Sequence, residues 1–220
     1  MDMRLAFAGL IGLVAAGAAG PVSQDPHGRL FPPEHVGLLE GPDREDWQQP
    51  ARVMDVLRIA EGARVADVGA GGGWFTVRLA HRVGPNGVVF AQDIQPQMLE
   101  SIRRRVRREG LSNVESVLGS PTDPRLPANL TAVLLVDVYS QIADPVVVLG
   151  HIGRALAPQG RVGIVEFKPD GDGGPGPPRS DRIDPSAIVR DAFEAGLHLQ
   201  SSETFLRYQY LLVFGREPRS

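Results

Sequence analysis

Short runs of apolar and β-branched residues alternate with helical stretches from about residue 45 to the end of the chain. Strands that are separated by helices need crossover connections, which place them parallel in one sheet with helices on its faces. Two adjacent strands at the C-terminus, separated only by a tight connection near Arg207, instead predict an antiparallel hairpin. The sequence therefore predicts an α/β fold with a helix-flanked, mostly parallel sheet.

Hydrophobic periodicity and the positions of glycine and proline give the expected element boundaries. The predicted helices cover about 47–60, 73–84, 95–110, 144–157 and 184–196. The predicted strands cover about 64–69, 87–92, 113–118, 131–137, 160–167, 197–206 and 208–216.

The composition excludes several classes of function. The formal net charge is −3 at pH 7, so no overall positive field exists to hold a nucleic-acid backbone. Because the chain has no cysteine, it can form no disulfide, thiolate nucleophile or cysteine-ligated metal site. His35 and His151 stand alone, without a second ligand at metal-binding spacing. We therefore expect a small-molecule partner, no nucleic acid and no metal.

Residues 1–26 differ in composition from the rest of the chain. Arg4 precedes an uncharged apolar run at 5–20, and a polar stretch follows. The run is short and rich in glycine and alanine, so it predicts a signal peptide and a periplasmic or secreted protein. The alternatives are an uncleaved membrane anchor and, for a cytoplasmic protein, a mis-assigned start or a loosely packed extra helix. In each case we expect a cover segment at 27–46 and the main domain at 47–220.

A glycine-rich turn joins a predicted strand directly to a predicted helix in the stretch VADVGAGGGWF, residues 65–75. Glycines at such a turn let the backbone approach a ligand, and the first amides of the helix supply donors. The dinucleotide pattern G-x-G-x-x-G would require glycine in place of Trp74 or Thr76, which disfavours a pyrophosphate site. The pattern that fits is D-x-G-x-G-x-G, formed by Asp67 and three alternate glycines: Gly69, Gly71 and Gly73.

Two carboxylates accompany this turn. Asp67 lies at its mouth, where a negative charge would repel a pyrophosphate and favour a ligand with an ammonium and a sulfonium. Asp93 ends the next predicted strand, where a side chain can bind both hydroxyls of a ribose. Together they indicate an adenosine with a cationic tail. The alternative for the turn is simple packing of helix on strand, and for Asp93 it is capping of the helix that begins near Pro96.

With these residues in place, the sequence resembles the class I S-adenosylmethionine (SAM)-dependent methyltransferases of the small Rossmann-like type over about residues 45–216. Three further stretches carry the resemblance: VLGSPTDPRLP at 117–127, AVLLVDVYSQIADP at 132–145 and ALAPQGRVGIVEF at 155–167. The resemblance implies a Rossmann-like three-layer sandwich, a seven-stranded sheet whose last strand is antiparallel, and SAM as cofactor. It does not indicate the methyl acceptor. The alternatives are a SAM-binding protein without catalysis and a methyltransferase that acts on a macromolecule.

The resemblance also implies which residues contact the cofactor. Many relatives carry aspartate directly after the glycine that follows the third strand, whereas here Ser120 follows Gly119. This departure leaves Asp123 as the expected acidic contact to the adenine amine. The full set of expected cofactor-binding residues is Asp67, Gly69, Gly71, Gly73, Asp93, Ile94, Ser120, Asp123 and Asp137.

The loop after the fourth strand bears on proton transfer. Many relatives read Tyr-His-His there, whereas this chain reads Tyr139-Ser140-Gln141, so no histidine is available as a general base. Methyl transfer from a sulfonium mainly requires positioning of the acceptor, and we assign no catalytic residue. The candidates are Asp137 and Tyr139, followed by Glu166 and Lys168. The alternatives are a structural carboxylate for Asp137 and a pocket wall for Tyr139.

Three more features allow two interpretations each. The stretch GDGGPGPP at 171–178 is either a mobile lid or a flexible connector. Trp47 and Gln48 either face the substrate or begin a helix, with Trp47 as a hydrophobic staple. Five arginines within 103–108 predict a solvated helix face, because no aromatic stripe accompanies them, and the alternative is a contact with a phosphate-bearing substrate or an anionic lipid.

Overall fold

The computed structural model describes Leu30, Pro32, residues 41–171 and residues 174–217. The predicted signal peptide and most of the cover segment lie outside the described residues. Those predictions therefore stay predictions.

The described residues form six helices and seven strands. The helices are α1 (Arg44–Gln48), α2 (Pro50–Val56), α3 (Trp74–Val83), α4 (Pro96–Arg108), α5 (Pro145–Ala155) and α6 (Pro185–Glu194). The strands are β1 (Arg64–Val68), β2 (Val88–Asp93), β3 (Val114–Leu118), β4 (Leu130–Val136), β5 (Leu156–Phe167), β6 (Leu197–Glu203) and β7 (Gln209–Arg216). Two single 3₁₀ turns lie at Tyr139–Gln141 and Arg179–Asp181.

The strands form one sheet in the order β3-β2-β1-β4-β5-β7-β6. Strand β7 runs antiparallel to both of its neighbours, β5 and β6, while the other neighbouring pairs are parallel. This arrangement confirms the predicted seven-stranded Rossmann-like sheet with an antiparallel C-terminal hairpin. The chain passes outward from β1 to β3 and then returns to β4 on the other side of β1. Open α/β sheets bind ligands at such a switch point, outside the carboxyl ends of the strands.

Alternate residues of the central strands face the two sides of the sheet. In β4, Ala132 and Leu134 pack with α2 and α3, whereas Val133 and Leu135 pack with α5 and α6. Strand side chains point to opposite faces with a period of two, so a strand that is apolar at every position must be covered on both faces. The result is the three-layer sandwich that the sequence predicted.

The predicted helix at 47–60 is wrong in detail, because the structure divides it in two. Gln49 separates α1 from α2 with a left-handed φ of 43° and directly precedes Pro50. The proline ring disfavours helical backbone at the preceding residue, so α1 ends there and α2 starts with proline at its first position. The break turns α1 toward the carboxyl edge of the sheet. Helix α1 also crosses the predicted boundary at residue 46 between the cover segment and the main domain.

Burial in the core predicts a large difference between two leucine truncations. Leu79 of α3 is fully buried, whereas Leu199 of β6 is 43% exposed. We expect Leu79→Ala to lower the free energy of unfolding by about 2–5 kcal/mol, because it removes apolar contacts and leaves a cavity. Leu199→Ala should change it by well under half of that amount. Urea unfolding of both variants measures the difference, and equal losses would contradict the described core.

Candidate functional site

A cleft lies over the carboxyl ends of β1, β2 and β4, at the switch point of the sheet. The glycine turn after β1 forms its floor, and loops after β2, β3 and β4 form its walls. The lining residues with polar or charged side chains are Arg44, Asp67, Gln92, Asp93, Gln95, Ser120, Asp137 and Gln141. The apolar lining includes Trp74, Ile94, Met98, Pro121, Ile142 and Val148.

The glycine turn is bound to the end of β2. The amide N–H of Gly71 donates to Asp93 Oδ2 at 3.0 Å, and that of Gly69 donates to Gln92 Oε1 at 3.3 Å. Gly69 has a left-handed φ of 67°, and a Cβ there would overlap the side chain of Val138. Only glycine therefore fits at this position. Gln92 is a buried site residue that no sequence motif marks.

Gly73 has a packing role. It precedes α3 with a left-handed φ of 79°, and a Cβ there would lie 3.1 Å from Ile102 Cγ1. Gly69, Gly71 and Gly72 line the cleft, whereas Gly73 is not among its lining residues. The glycines of this turn therefore have two roles. Three of them bring the backbone close to the cleft, and Gly73 allows close packing against α4.

Asp93 joins two loops of the cleft. Its Oδ2 accepts from Gly71, and its Oδ1 accepts the amide N–H of Gln95 at 2.9 Å. Gln95 is the residue that precedes α4, and it makes no side-chain capping bond. Asp93 therefore braces the turn just before α4 instead of capping the helix. Burial raises the pKa of Asp93, and the backbone amides partly oppose that shift.

Asp67 lies at the end of β1 and is only 3% exposed. The hydroxyl of Thr76, in the first turn of α3, donates to Asp67 Oδ2 at 2.6 Å. Burial raises the pKa of Asp67 to about 6, while the Thr76 bond and the nearby charge of Arg44 lower it. Thr76 is a second site residue that no motif marks, because in the sequence it stands only as a departure from a glycine pattern.

Asp137 sits just past β4 with a left-handed φ of 56°, which is unusual for a residue other than glycine. Gln209 Nε2 donates to its Oδ1 at 2.5 Å, and Gln48 Nε2 lies 3.4 Å from its Oδ2. Arg44 in turn donates to Gln48 Oε1 at 2.5 Å. Burial raises the pKa of Asp137, and Arg44 and the two glutamines oppose that shift. No sequence motif marks Arg44 or Gln209.

Glu166 is buried beside this network but is not a lining residue of the cleft. Its Oε1 accepts the amide N–H of Tyr139 at 2.7 Å. Burial raises the pKa of Glu166, and the neighbouring charge of Asp137 adds to the shift. Glu166 therefore holds the loop after β4 in place, and its carboxylate faces backbone amides.

Tyr139 and Lys168 point away from the cleft. The Tyr139 hydroxyl donates to Asp191 Oδ2 at 2.8 Å, and burial raises the pKa of that hydroxyl further above its usual range. Lys168 Nζ donates to the carbonyl oxygens of Leu206 at 2.7 Å and Arg207 at 3.2 Å. Of the four candidate bases, the structure places only Asp137 on the cleft.

The segment after β3 places its expected residues in different directions. Ser120 lines the cleft, as does Ile94 after β2. The carboxylate of Asp123 instead faces His151, with 3.4 Å between Oδ1 and Nδ1, and accepts the amide N–H of Arg125. The structure therefore does not bring Asp123 to the cleft. The Asp123 carboxylate instead stabilises its own loop through Arg125 and His151.

Among the described residues, the charged groups that line the cleft are three carboxylates and one guanidinium: Asp67, Asp93, Asp137 and Arg44. Carboxylates in such a partly dehydrated site repel one another and are only partly compensated by Arg44. The cleft therefore favours a ligand that carries positive charge. The same negative charge would repel a pyrophosphate.

The remaining predictions concern the surface. Arg103, Arg104, Arg107 and Arg108 are exposed on α4, as expected for a solvated helix face.

Among the described residues, no group of three His, Asp or Glu side chains could hold a metal ion. In the same part of the chain, no helix is long and apolar enough to cross a membrane.

Comparison with known proteins gives a family. A family model described as "Methyltransferase domain" matches residues 59–197. Nocamycin O-methyltransferase of Saccharothrix syringae is 32% identical over 147 residues, which cover 66% of this chain and 50% of that protein. Aklanonic acid methyltransferase DauC of Streptomyces sp. (strain C5) is 30% identical over 128 residues, which cover 54% and 58%. The chain thus spans about half the length of these curated relatives.

Solved structures agree on the fold. A SAM-dependent methyltransferase from Aquifex aeolicus superposes with a TM-score of 0.79 at 24% identity, covering 84% of this chain and 98% of that chain. NcsB1, an O-methyltransferase from neocarzinostatin biosynthesis, gives a TM-score of 0.67 at 22% identity, covering 83% and 57%. Since the family model spans well over half of the chain, this protein belongs to the methyltransferase domain family and has the Rossmann-like fold of SAM-dependent methyltransferases.

Proposed function

We propose that this protein is a SAM-dependent methyltransferase that acts on a small-molecule acceptor. The observation that carries the proposal is the charge of the cleft, where three carboxylates face one guanidinium beside a glycine turn. SAM matches this environment because it joins an adenosine to a tail with a sulfonium and an ammonium.

The described residues fit the two parts of such a donor. The Asp93 carboxylate accepts backbone N–H groups from the glycine turn and from the loop before α4, and a remaining lone pair faces the place of a ribose hydroxyl in this proposal. Asp67 and Asp137 supply negative charge for the cationic tail, and the glycine turn supplies backbone close to it. Apolar side chains for the adenine line the opposite wall: Ile94, Met98, Pro121 and Val148.

When bound, SAM supplies a methyl group on a sulfonium, with a neutral thioether as leaving group. The protein then has to hold the acceptor close to the methyl group and exclude water. Asp137 is the candidate base on the cleft, and its raised pKa suits it to hold the proton of an acceptor hydroxyl or amine. Gln48 and Gln209 fix the orientation of its carboxylate.

The names of two relatives and of one solved structure support a small acceptor. One relative is named nocamycin O-methyltransferase, and another is named aklanonic acid methyltransferase. NcsB1 was crystallised with S-adenosyl-L-homocysteine (SAH) and 1,4-dihydroxy-2-naphthoic acid.

A thermal-shift experiment tests the donor directly. We expect SAM and SAH each to raise the melting temperature, because a ligand that binds only the folded state stabilises it by about 2.7 kcal/mol at 100 times its Kd. NAD should give no shift, because its pyrophosphate would enter a cleft with excess negative charge. Stabilisation by NAD alone would overturn the proposal.

Asp93 and Asp123 form a matched pair for mutation. Asp93→Ala should weaken SAM binding by about 1.5–3 kcal/mol, because it removes a charged acceptor beside the expected ribose. Asp123→Ala should leave the affinity unchanged, because that carboxylate faces His151 outside the cleft. Isothermal titration calorimetry on folded variants measures both effects, and a loss of affinity in Asp123→Ala alone would reverse the assignment.

The raised pKa of Asp67, about 6, predicts pH-dependent binding of the donor. Below this pKa the carboxylate holds a proton and gives no attraction to a cation, so SAM affinity should rise about tenfold between pH 5 and pH 7.5. SAH lacks the sulfonium charge, so its affinity should rise less over the same range. The slope for SAM should flatten in Asp67→Asn. Calorimetry at several pH values measures these slopes, and equal slopes for SAM and SAH would contradict the electrostatic role of Asp67.

A further inference from the structure

Three aromatic rings meet beside the donor cleft, and we call them the aromatic platform: Trp47, Phe167 and Tyr208. The ring centroid of Trp47 lies 6.0 Å from that of Phe167 and 6.0 Å from that of Tyr208. The rings come from α1, the end of β5 and the connection between β6 and β7. The fold therefore brings together three residues that are far apart in the sequence.

The aromatic platform adjoins the polar network around Asp137. Two glutamines that contact the Asp137 carboxylate follow rings of the aromatic platform in the sequence. Gln48 directly follows Trp47, and Gln209, the first residue of β7, directly follows Tyr208. Phe167 pairs with Gln209 across the sheet. An acceptor on these rings would thus lie next to the one candidate base that the structure places on the donor cleft.

The cover of the aromatic platform is glycine backbone. A Cβ on Gly174 would lie 2.6 Å from Tyr208 Cδ1, and one on Gly176 would lie 2.6 Å from Phe167 Cε1. Both glycines have a left-handed φ, 84° and 115°. Glycine backbone contributes little apolar area, so a flat ligand that replaced this contact would lose little packing and gain stacking on the rings.

Positive charge surrounds the rings. The Arg182 guanidinium carbon lies 5.6 Å from the Phe167 ring centroid, and that of Arg207 lies 4.9 Å from the Tyr208 centroid. Lys168 directly follows Phe167. Among the described residues, none of these three cations forms an ion pair with a carboxylate. Lys168 and Arg182 also donate to backbone carbonyl oxygens, which leaves their positive charge in place. An anionic group on the ligand would therefore find cations that no carboxylate of the described residues neutralises.

We propose that the aromatic platform is the acceptor site, and that it takes a planar aromatic molecule carrying a carboxylate. The ring lies against Trp47, Phe167 and Tyr208, and the carboxylate lies toward Arg207, Arg182 and Lys168. This proposal rests on the proposed methyltransferase function, since it names the class of acceptor for the same site.

Calorimetry with 1-hydroxy-2-naphthoate as the probe tests the site in the full chain. The measurement is made with and without saturating SAH, which keeps the probe out of the donor cleft. We expect the probe to bind, and both the neutral 1-hydroxy-2-naphthamide and the non-aromatic cyclohexanecarboxylate to bind at least tenfold more weakly. Absence of probe binding, or equal affinity for all three compounds, would overturn the proposal.

Two variants locate the probe, each with a matched control. Tyr208→Leu and Arg207→Gln should each weaken probe binding at least fivefold. Phe193→Leu, at an aromatic residue 67% exposed on α6, and Arg103→Gln, on exposed α4, should leave it unchanged. Circular dichroism confirms that each variant is folded, and equal effects of Tyr208→Leu and Phe193→Leu would overturn the proposal.

The same titrations separate this proposal from the proposed function. If SAM binds and the probe does not, the acceptor assignment fails while the donor assignment stands. If the probe binds with the expected variant pattern and SAM does not, the proposed function fails and the aromatic platform remains a binding site for aromatic acids.

Discussion

The cost of burying carboxylates at one edge of the sheet is the constraint on which the site depends. Asp67, Asp93 and Asp137 all lose water there, and burial raises the pKa of each one. The fold offsets this cost with specific donors, namely the Thr76 hydroxyl, the amides of the glycine turn and two glutamine side chains. These donors are neutral, so negative charge remains in the cleft. Arg44 compensates part of this charge, and a cationic ligand would compensate the rest.

The loop after β4 shows how the fold holds an unfavourable conformation in place. Left-handed backbone at a residue such as Asp137 costs about 1–3 kcal/mol and persists only where its surroundings enforce it. Here Glu166 accepts the amide of Tyr139, and the Tyr139 hydroxyl is bound to Asp191 of α6. Both anchors lie outside the cleft. They leave Asp137 as the residue of this loop that presents a carboxylate to the ligand side.

Helix α1 connects the donor cleft with the aromatic platform, although it has only five residues. Arg44 lines the cleft and lies over the Trp74 ring, with 4.4 Å from its guanidinium carbon to the ring centroid. Trp47 contributes to the platform, and Gln48 binds both Arg44 and Asp137. One turn of helix thereby fixes a cation, a ring and an amide relative to each other. The break at Gln49 makes this placement possible, because it frees α1 from the direction of α2.

The sequence by itself determined the sheet, the glycine turn and the strand ends that carry Asp67, Asp93 and Asp137, because periodicity and turn residues are local properties. Only the tertiary structure decided which side chains meet. It directed Tyr139 to Asp191 and Asp123 to His151, and it joined Gln48 to Gln209 with 3.0 Å between the amide nitrogen and the oxygen. Those two glutamines are 161 positions apart in the chain. No local pattern encodes such a contact, because it depends on how the whole sheet and its covering helices pack.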